Sequence, residues 1–489
     1  MTRLSLANLP EIAKRAAVPN YNRADLTPGI VHIGVGNFHR AHLGVYLDEL
    51  FNRGADHDWA LIGAGVMPGD DVMRRKLAAQ DYLTTIVEQD NDVSSARVTG
   101  AMIDFIPPTD HQALIARLAD PSTRIVSLTV TEGGYMIDPA NGKFDAKHPA
   151  IVKDAASPQA PESAFGLILR GLAVRREKGI PPFTVMSCDN VPHNGAVTRN
   201  AIAGLAKLFD RDLAQWVLDN VLFPNAMVDR ITPATSDRER QMTAEIFGIE
   251  DDWPVFCEEF KQWVIEDSFS CGRPALEKVG VTFVKDVTPF ENMKIRILNG
   301  GHAIIAYPGG LLDVHFVHEA MQHPLIKAFL DKVETNEVIP TVAPVPGTDL
   351  QDYYKLIVRR FANPKIGDTI RRLCLDGSNR QPKFIVPPVS DRLAAGQGIA
   401  GLALESALWC RYCFGATESG KIIEPNDPAW ARLQEVSRAA KDNPDIWLAM
   451  DDIYGAAGRS PVFRKAFAEA LNHVWRAGTK CALEDYLKT

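Results

Sequence analysis

The sequence predicts an α/β chain, with a mostly parallel β-sheet domain first and a predominantly α-helical domain after it. Three observations predict this. Short Val/Ile/Leu-rich runs alternate with helical patterns through the first half, as a parallel sheet with helical crossovers requires. Strand patterns almost vanish after residues 288–291, and the rest reads as successive helices. The chain has 489 residues, whereas one hydrophobic core sustains only about 250–300, so two domains are expected. The expected division is 1–287 and 288–489.

Candidate strands occupy residues 30–35, 59–66, 124–130, 183–187 and 226–231. Polar residues do not alternate with apolar ones in these runs, as expected of strands buried on both faces. Residues 41–52, His111–Ala119 and 164–177 carry helical patterns between them, and residues 82–88 and 96–105 read as an added hairpin. In the second half helices are expected at 291–307, 324–337, 350–361, 364–374, 399–415, 427–440, 445–453 and 461–475. A proline-rich loop at 339–347 and the segment 381–390 interrupt them.

The formal net charge of −8 gives no general attraction to nucleic acid, although Arg371-Arg372 remains a local candidate for binding an anion. There is no run of ~18 apolar residues and no leader-like N-terminus, so no membrane span and a cytoplasmic location are expected. Seven scattered cysteines read as reduced thiols rather than a disulfide framework. Cys410 and Cys413 form a CxxC without a second pair, inside an apolar helical pattern. Packing is the expected role, and no metal site is expected.

The run Ile30-Val-His-Ile-Gly34-Val-Gly36-Asn37-Phe38-His39 is an apolar strand entering a Gly-x-Gly turn and then a helix. Such glycines let the backbone turn tightly and approach a pyrophosphate, which sits on the exposed N–H groups of the helix start. Gly34 and Gly36, with Asn37 and Phe38 beside them, are therefore candidate dinucleotide contacts in a Rossmann-type domain. His39 stands where a third glycine is usual, so the fingerprint is incomplete. The second strand runs into Gly63-Ala-Gly65-Val-Met-Pro-Gly69-Asp70-Asp71. A carboxylate here can accept a hydrogen bond from the adenosine ribose 2′-OH and repel a 2′-phosphate, which favours NAD. Helix capping is the other reading of Asp70, and the nearby Arg74 and Arg75 keep NADP open.

Neither the Cys/His ligands of zinc dehydrogenases nor a Tyr-x-x-x-Lys pair is evident. Two polar clusters stand out in apolar surroundings: Ser187-Cys-Asp189-Asn190-Val-Pro-His193-Asn194-Gly195 at the end of a strand, and Lys294-Ile-Arg296-Ile-Leu-Asn299-Gly-Gly-His302 at the start of the helical domain. Ligands bind at the carboxyl ends of parallel strands. On a regular helix at about 100° per residue, Lys294, Asn299 and His302 fall within an arc of about 140°. A lysine desolvated there loses preference for its ammonium form and can act as a general base, while Asn190 and Asn299 can donate to a developing alkoxide. Taken singly, a surface lysine, a capping asparagine and a packed histidine would be the ordinary readings.

With the blocks Gly34–His42, Ser127–Tyr135, Ser187–Gly195, Phe223–Pro233 and Lys294–His302, the chain resembles the polyol-specific long-chain dehydrogenase/reductase family nearly end to end. The resemblance implies NAD-linked, metal-independent oxidation of a sugar alcohol at a secondary hydroxyl to a ketose, D-mannitol to D-fructose in the first instance. It implies Lys294 as base, Asn190 and Asn299 as oxyanion-stabilising amides, and His302 as a partner of substrate hydroxyls. Asp229, Arg372 and Arg380 match further polyol contacts. Glu132 resembles a carboxylate that handles water and protons behind the base, and Asp70 matches the acid that favours NAD. Gly69 replaces an acidic neighbour found in some members, so use of NADP is not excluded. A small-molecule polyol or ketose partner, no nucleic-acid or membrane partner, and a monomer are the matching expectations. The alternatives are another polyol such as D-arabinitol or D-sorbitol, a sugar-acid reductase acting on fructuronate, or a non-enzymatic NAD-binding sensor.

Overall fold

The computed structural model describes residues 1–91, 93–138 and 143–489, with the side chains of Glu132 and Asp138 outside that set. The described residues form two compact units, Met1–Val287 and Thr288–Thr489.

The N-terminal unit is built on a five-stranded parallel sheet. Its strands are β1 (Pro28–Ile33), β2 (Ala60–Ala64), β3 (Met102–Ile106), β4 (Ile125–Leu128) and β5 (Thr184–Ser187). They lie in the order β5-β4-β1-β2-β3, all neighbours parallel. That is the order of a dinucleotide-binding sheet, with its reversal point between β1 and β4. Alternate residues feed two cores. Val31, Ile33, Val126, Leu128 and Val185 pack with the helices His111–Ala119, Ala164–Lys178 and Asn194–Lys207. Ile30, Leu61, Ile125 and Met186 pack with Tyr46, Leu47, Leu50 and Phe51 of Leu43–Asn52. Burial on both faces is why these strands show no alternation in sequence.

Two expectations for this unit are corrected. Residues 226–231 do not extend the parallel sheet: β6 (Ala226–Asp229) pairs antiparallel with β7 (Gln262–Glu266), which is joined in parallel by β8 (Thr282–Val284). The expected hairpin is formed by Thr84–Gln89 and Ser94–Thr99, while the rest of its second arm, Met102–Ile106, crosses into the main sheet beside β2. A continuous apolar run carries no mark of where one strand stops and another starts.

The C-terminal unit is helical. Its centre is Ala400–Cys413, in which every residue from Gly401 onward is buried, so this interior helix is apolar on most of its surface and takes Glu405, Ser406 and Arg411 inside with it. The Glu337 carboxylate accepts the N–H groups of Gly401 (2.7 Å) and Leu402 (2.9 Å) at its start, matching the positive end of the helix. Cys410 and Cys413 are buried on this helix, and all seven cysteines are free thiols. The segment 381–390, read from sequence as an interruption, is helical: Gly377–Phe384 and Val386–Ala394 meet at Ile385. Pro387 and Pro388 fall in the first turn of the second helix, where no intrahelical N–H is required. The last helix reaches Lys488 rather than 475. No helix among the described residues is long and apolar enough to cross a membrane.

Candidate active site

In the N-terminal unit, β1 runs into Gly34 at φ +96°, where an added Cβ would lie 2.1 Å from the Thr129 carbonyl oxygen after β4. Only glycine permits that backbone approach at the reversal point. Among the described residues a Cβ on Gly36 would meet nothing nearer than the Gly34 carbonyl oxygen at 3.9 Å, so this side of the turn is open to them. The helix Asn37–Ala41 follows at once, and its first N–H groups have no intrahelical partners. An open glycine turn ahead of a helix start suits a pyrophosphate, so these residues fit a dinucleotide.

Asn37 ties the turn down, donating from Nδ2 to the Pro233 carbonyl and the Thr235 hydroxyl, each at 2.9 Å. Phe38 stacks on His42 with ring centroids 4.8 Å apart. His39, in the place of the third glycine, is buried and stacks on His32 at 3.5 Å. Burial holds both imidazoles neutral, His32 down to about 3. The Asp70 carboxylate accepts the N–H groups of Val66 (3.1 Å) and Met67 (3.0 Å) in the turn before its own helix. Asp71 pairs with both Arg74 and Arg75, which draws those guanidinium groups toward a protein carboxylate.

The end of β5 is organised by Asp189, a member of the polar cluster to which the sequence assigned no role of its own. The buried Asp189 carboxylate accepts the N–H groups of Val130 and Thr131, each at 2.9 Å, and the Tyr135 hydroxyl at 2.7 Å. It thereby holds Thr131 at φ 64°, ψ 166°, a backbone region that only a determined environment maintains. The buried Asn194 donates to the Asp189 and Ala226 carbonyls and accepts the Ala226 N–H. Asn190, between these anchors, is exposed. Asp229 ends β6 and is buried. The Glu132 side chain lies outside the described residues, although its backbone begins the turn Glu132–Tyr135. The signal available for Asp189 and Asn194 was a short polar run closing an apolar strand.

In the C-terminal unit, Lys294–Asn299 is a π-helical segment set between the α-helices Thr288–Met293 and Gly300–Leu311. The regular-helix arc expected for Lys294, Asn299 and His302 is corrected accordingly, because a π turn is wider than an α turn and re-aims each side chain. Such bulges occur frequently at functional sites. Lys294 is 7% exposed and Asn299 9%, so both are drawn well out of solvent. Arg296 points elsewhere, donating to the Thr341 carbonyl at 2.7 Å and pairing with Asp391 at 2.6 Å.

His302 stacks on Phe361 with centroids 4.1 Å apart, and its buried Nε2 has no hydrogen-bond partner among the described residues. Burial, then the charges of Arg372, Arg360, Arg380 and Lys294, hold its pKa well below the usual 6.5. The imidazole is therefore neutral, with one nitrogen free for a hydroxyl. Arg372 pairs with Asp368 through two nitrogens, and Arg380 donates to the carbonyls of Leu373 (3.1 Å) and Arg372 (3.4 Å). This unit thus gathers Lys294, His302, Arg372 and Arg380 in one electropositive neighbourhood. Arg360, buried and not singled out in the sequence, belongs to it.

Comparison with known proteins bears on both units. Residues 28–278 match the family described as the mannitol dehydrogenase Rossmann domain, and residues 286–475 the mannitol dehydrogenase C-terminal domain. A mannitol 2-dehydrogenase of Cereibacter sphaeroides is 60% identical over 470 residues, 96% of this chain and 98% of that protein. The Pseudomonas fluorescens mannitol 2-dehydrogenase, solved as a ternary complex with NAD and D-mannitol, superposes with a TM-score of 0.90 at 45% identity, covering 100% of both chains. A D-sorbitol dehydrogenase in substrate-free form also gives 0.90, at 33% identity over 98% of this chain and 100% of that one.

Proposed function

The chain belongs to the mannitol dehydrogenase family, and we propose that it oxidises D-mannitol to D-fructose with NAD and catalyses the reverse reduction. The observation that carries the chemistry is the π-helical segment that buries Lys294 and Asn299 beside a neutral His302. Support for the substrate and cofactor comes from the full-length likeness to an enzyme solved with NAD and D-mannitol.

Gly34, Gly36, Asn37 and Phe38 would hold the dinucleotide, with Asp70 beside the adenosine ribose. Bound NAD supplies two-electron acceptance. Lys294, as the neutral amine, removes the proton from the C2 hydroxyl, and withdrawal from water is what makes a lysine usable as a base. Asn190 and Asn299 donate amide N–H groups to the same oxygen as it gains charge; donors fixed in advance need no reorganisation during the step. His302 hydrogen-bonds a substrate hydroxyl, and its neutrality lets it donate or accept. Asp229, Arg372 and Arg380 fix the remaining hydroxyls. Glu132 passes the proton onward from Lys294. A cytoplasmic monomer completes the reading.

Initial rates with NAD and NADP against mannitol, sorbitol, arabinitol and xylitol test the substrate, alongside NADH-driven reduction of fructose and fructuronate. Preference for mannitol and fructose with NAD is expected, and preference for fructuronate would move the activity to sugar-acid reduction. Lys294→Ala should cut kcat by roughly 10²–10⁴-fold, the usual worth of a positioned acid–base group, with NADH binding nearly intact. Retained turnover with lost NADH binding would reject Lys294 as the base.

A further inference from the structure

The end of the helical unit holds a cluster with no part in this chemistry. Gly478 breaks the long helix Pro461–Lys488 with φ 82° and ψ 165°, a conformation essentially reserved for glycine. Thr479 restarts it, its N–H and hydroxyl both donating to Glu418 at 3.0 and 2.6 Å. The restarted helix carries Cys481 and Asp485 one turn apart on one face, and that face meets His473 from before the break. One donor atom from each of the three lies within 4.8 Å of the others. His473 Nε2 is 3.1 Å from Asp485 Oδ2, and Cys481 Sγ is 3.8 Å from the same oxygen.

We propose that His473, Cys481 and Asp485 form a structural site for a zinc-class divalent cation, with water as the fourth ligand. Tetrahedral Zn–N and Zn–O bonds of about 2.0–2.1 Å and a Zn–S bond of about 2.3 Å set neighbouring ligand atoms roughly 3.3–3.6 Å apart. The two separations to Asp485 lie within a few tenths of an ångström of that range, and the third, between His473 and Cys481, is within 4.8 Å, so side-chain movement of at most about an ångström closes the three ligands on an ion. A second observation points the same way. His473 Nε2 is shielded from solvent, and its approach to the carboxylate lacks hydrogen-bond alignment, leaving a ring nitrogen without a directional partner inside the cluster. Imidazole, thiolate and carboxylate together suit zinc, cobalt or nickel, whereas calcium and magnesium take oxygen ligands.

On binding, the Cys481 thiol releases its proton to water. The imidazole proton moves from Nε2 to Nδ1, and the exposed Arg476, which donates to Nδ1 at 3.0 Å, turns into solvent. Lys488 holds Asp485 Oδ1 at 2.8 Å, leaving Oδ2 for the ion. These two cations oppose the incoming charge, so the site binds more weakly than a four-ligand structural centre. Once bound, the ion clips the two helical arms together across Gly478.

Cobalt(II) titration of the full-length, reduced, chelator-treated protein tests the site. One equivalent should produce thiolate-to-cobalt absorption in the near ultraviolet and visible bands of tetrahedral intensity, both displaced by zinc. The thiolate band should vanish in Cys481→Ser, and affinity should fall at least tenfold in Asp485→Asn. In the unmodified protein, zinc should slow alkylation of Cys481, read by peptide mass spectrometry, while Cys271, the other part-exposed cysteine, keeps its rate. Absence of a thiolate band, a band that survives Cys481→Ser, or Cys481 alkylation indifferent to zinc would overturn the proposal.

Discussion

The Glu405 carboxyl sits within the central helix of the C-terminal unit, fully buried. Burial pushes its pKa from the usual 4.5 up to about 8, even though Gln381 and Ser406 donate hydrogen bonds to it. The folded chain therefore binds this proton more tightly than the unfolded chain does. The associated stability is fully present below about pH 4.5 and is lost as pH rises toward and through about 8. That gap corresponds to about 5 kcal/mol in total, of which roughly 3–4 kcal/mol falls between pH 5 and pH 8. Glu405→Gln keeps an acceptor for Gln381 and cannot titrate, so it should remove that share of the slope. Urea unfolding followed by far-ultraviolet circular dichroism across this range gives the comparison. The unmodified protein should lose roughly 3–4 kcal/mol more than the variant between the two ends. Burial raises Glu334 as well, so a residual slope in the variant is expected. Parallel slopes for the two proteins would refute the reasoning, because the buried carboxyl would then contribute no proton uptake on folding.

Three further outcomes are expected. Gly34→Ala places a methyl group 2.1 Å from a carbonyl oxygen at a positive φ; it should cost at least about 1–3 kcal/mol and weaken NADH binding, read by melting temperature and fluorescence titration. Unchanged values in both would show that the turn relaxes freely. Asp189→Ala strands three donors, two of them backbone N–H groups, and should destabilise by about 2–5 kcal/mol with a fall in kcat as Asn190 loses its anchor; a melt and rates within error of the parent would remove Asp189 from the positioning role. His302→Asn should raise KM for the polyol without changing the shape of the kcat/KM profile from about pH 6 to 8, because His302 is already neutral there. A lost inflection in that window would mean that His302 titrates during turnover.

Much of the fold was legible because burial on both faces leaves a plain mark. The strands at 28–33, 60–64, 125–128 and 184–187 are mostly apolar, their few polar residues His32, Ser127, Thr184 and Ser187 buried with the rest, and Gly-x-Gly after the first locates the sheet's reversal point. Residues 226–231 carry the same apolar mark yet pair antiparallel elsewhere, since composition records burial and not partner. The prolines at 382, 387 and 388 looked like breakers, but the latter two sit in a first turn, where proline is tolerated. The helix beyond 475 was missed because Gly478 signals a stop and Thr479 restarts the chain through Glu418, a partner distant in sequence.

For the candidate site, residue types and spacing singled out Lys294, Asn299 and His302, but not the π turn that aims them, since that turn depends on packing within the helical unit. Arg360 was not singled out, and Asp189 was placed in a polar cluster without a role, for a related reason. An arginine inside an amphipathic helix and an aspartate after a strand look ordinary until folding surrounds them with a histidine to repel or amides to hold. The sequence by itself determined the class of domains, the glycine turn and the chemical alphabet available for catalysis, because these depend on local backbone sterics and on which side chains avoid water. Only the tertiary structure decided the strand partners, the neutral state of His302 and the meeting of His473 with Cys481 and Asp485. The strand partners and the charge state of His302 depend on groups far apart in the chain, which interact only once folding has removed the water between them, and the His473 cluster depends on the break at Gly478 that the distant Glu418 secures.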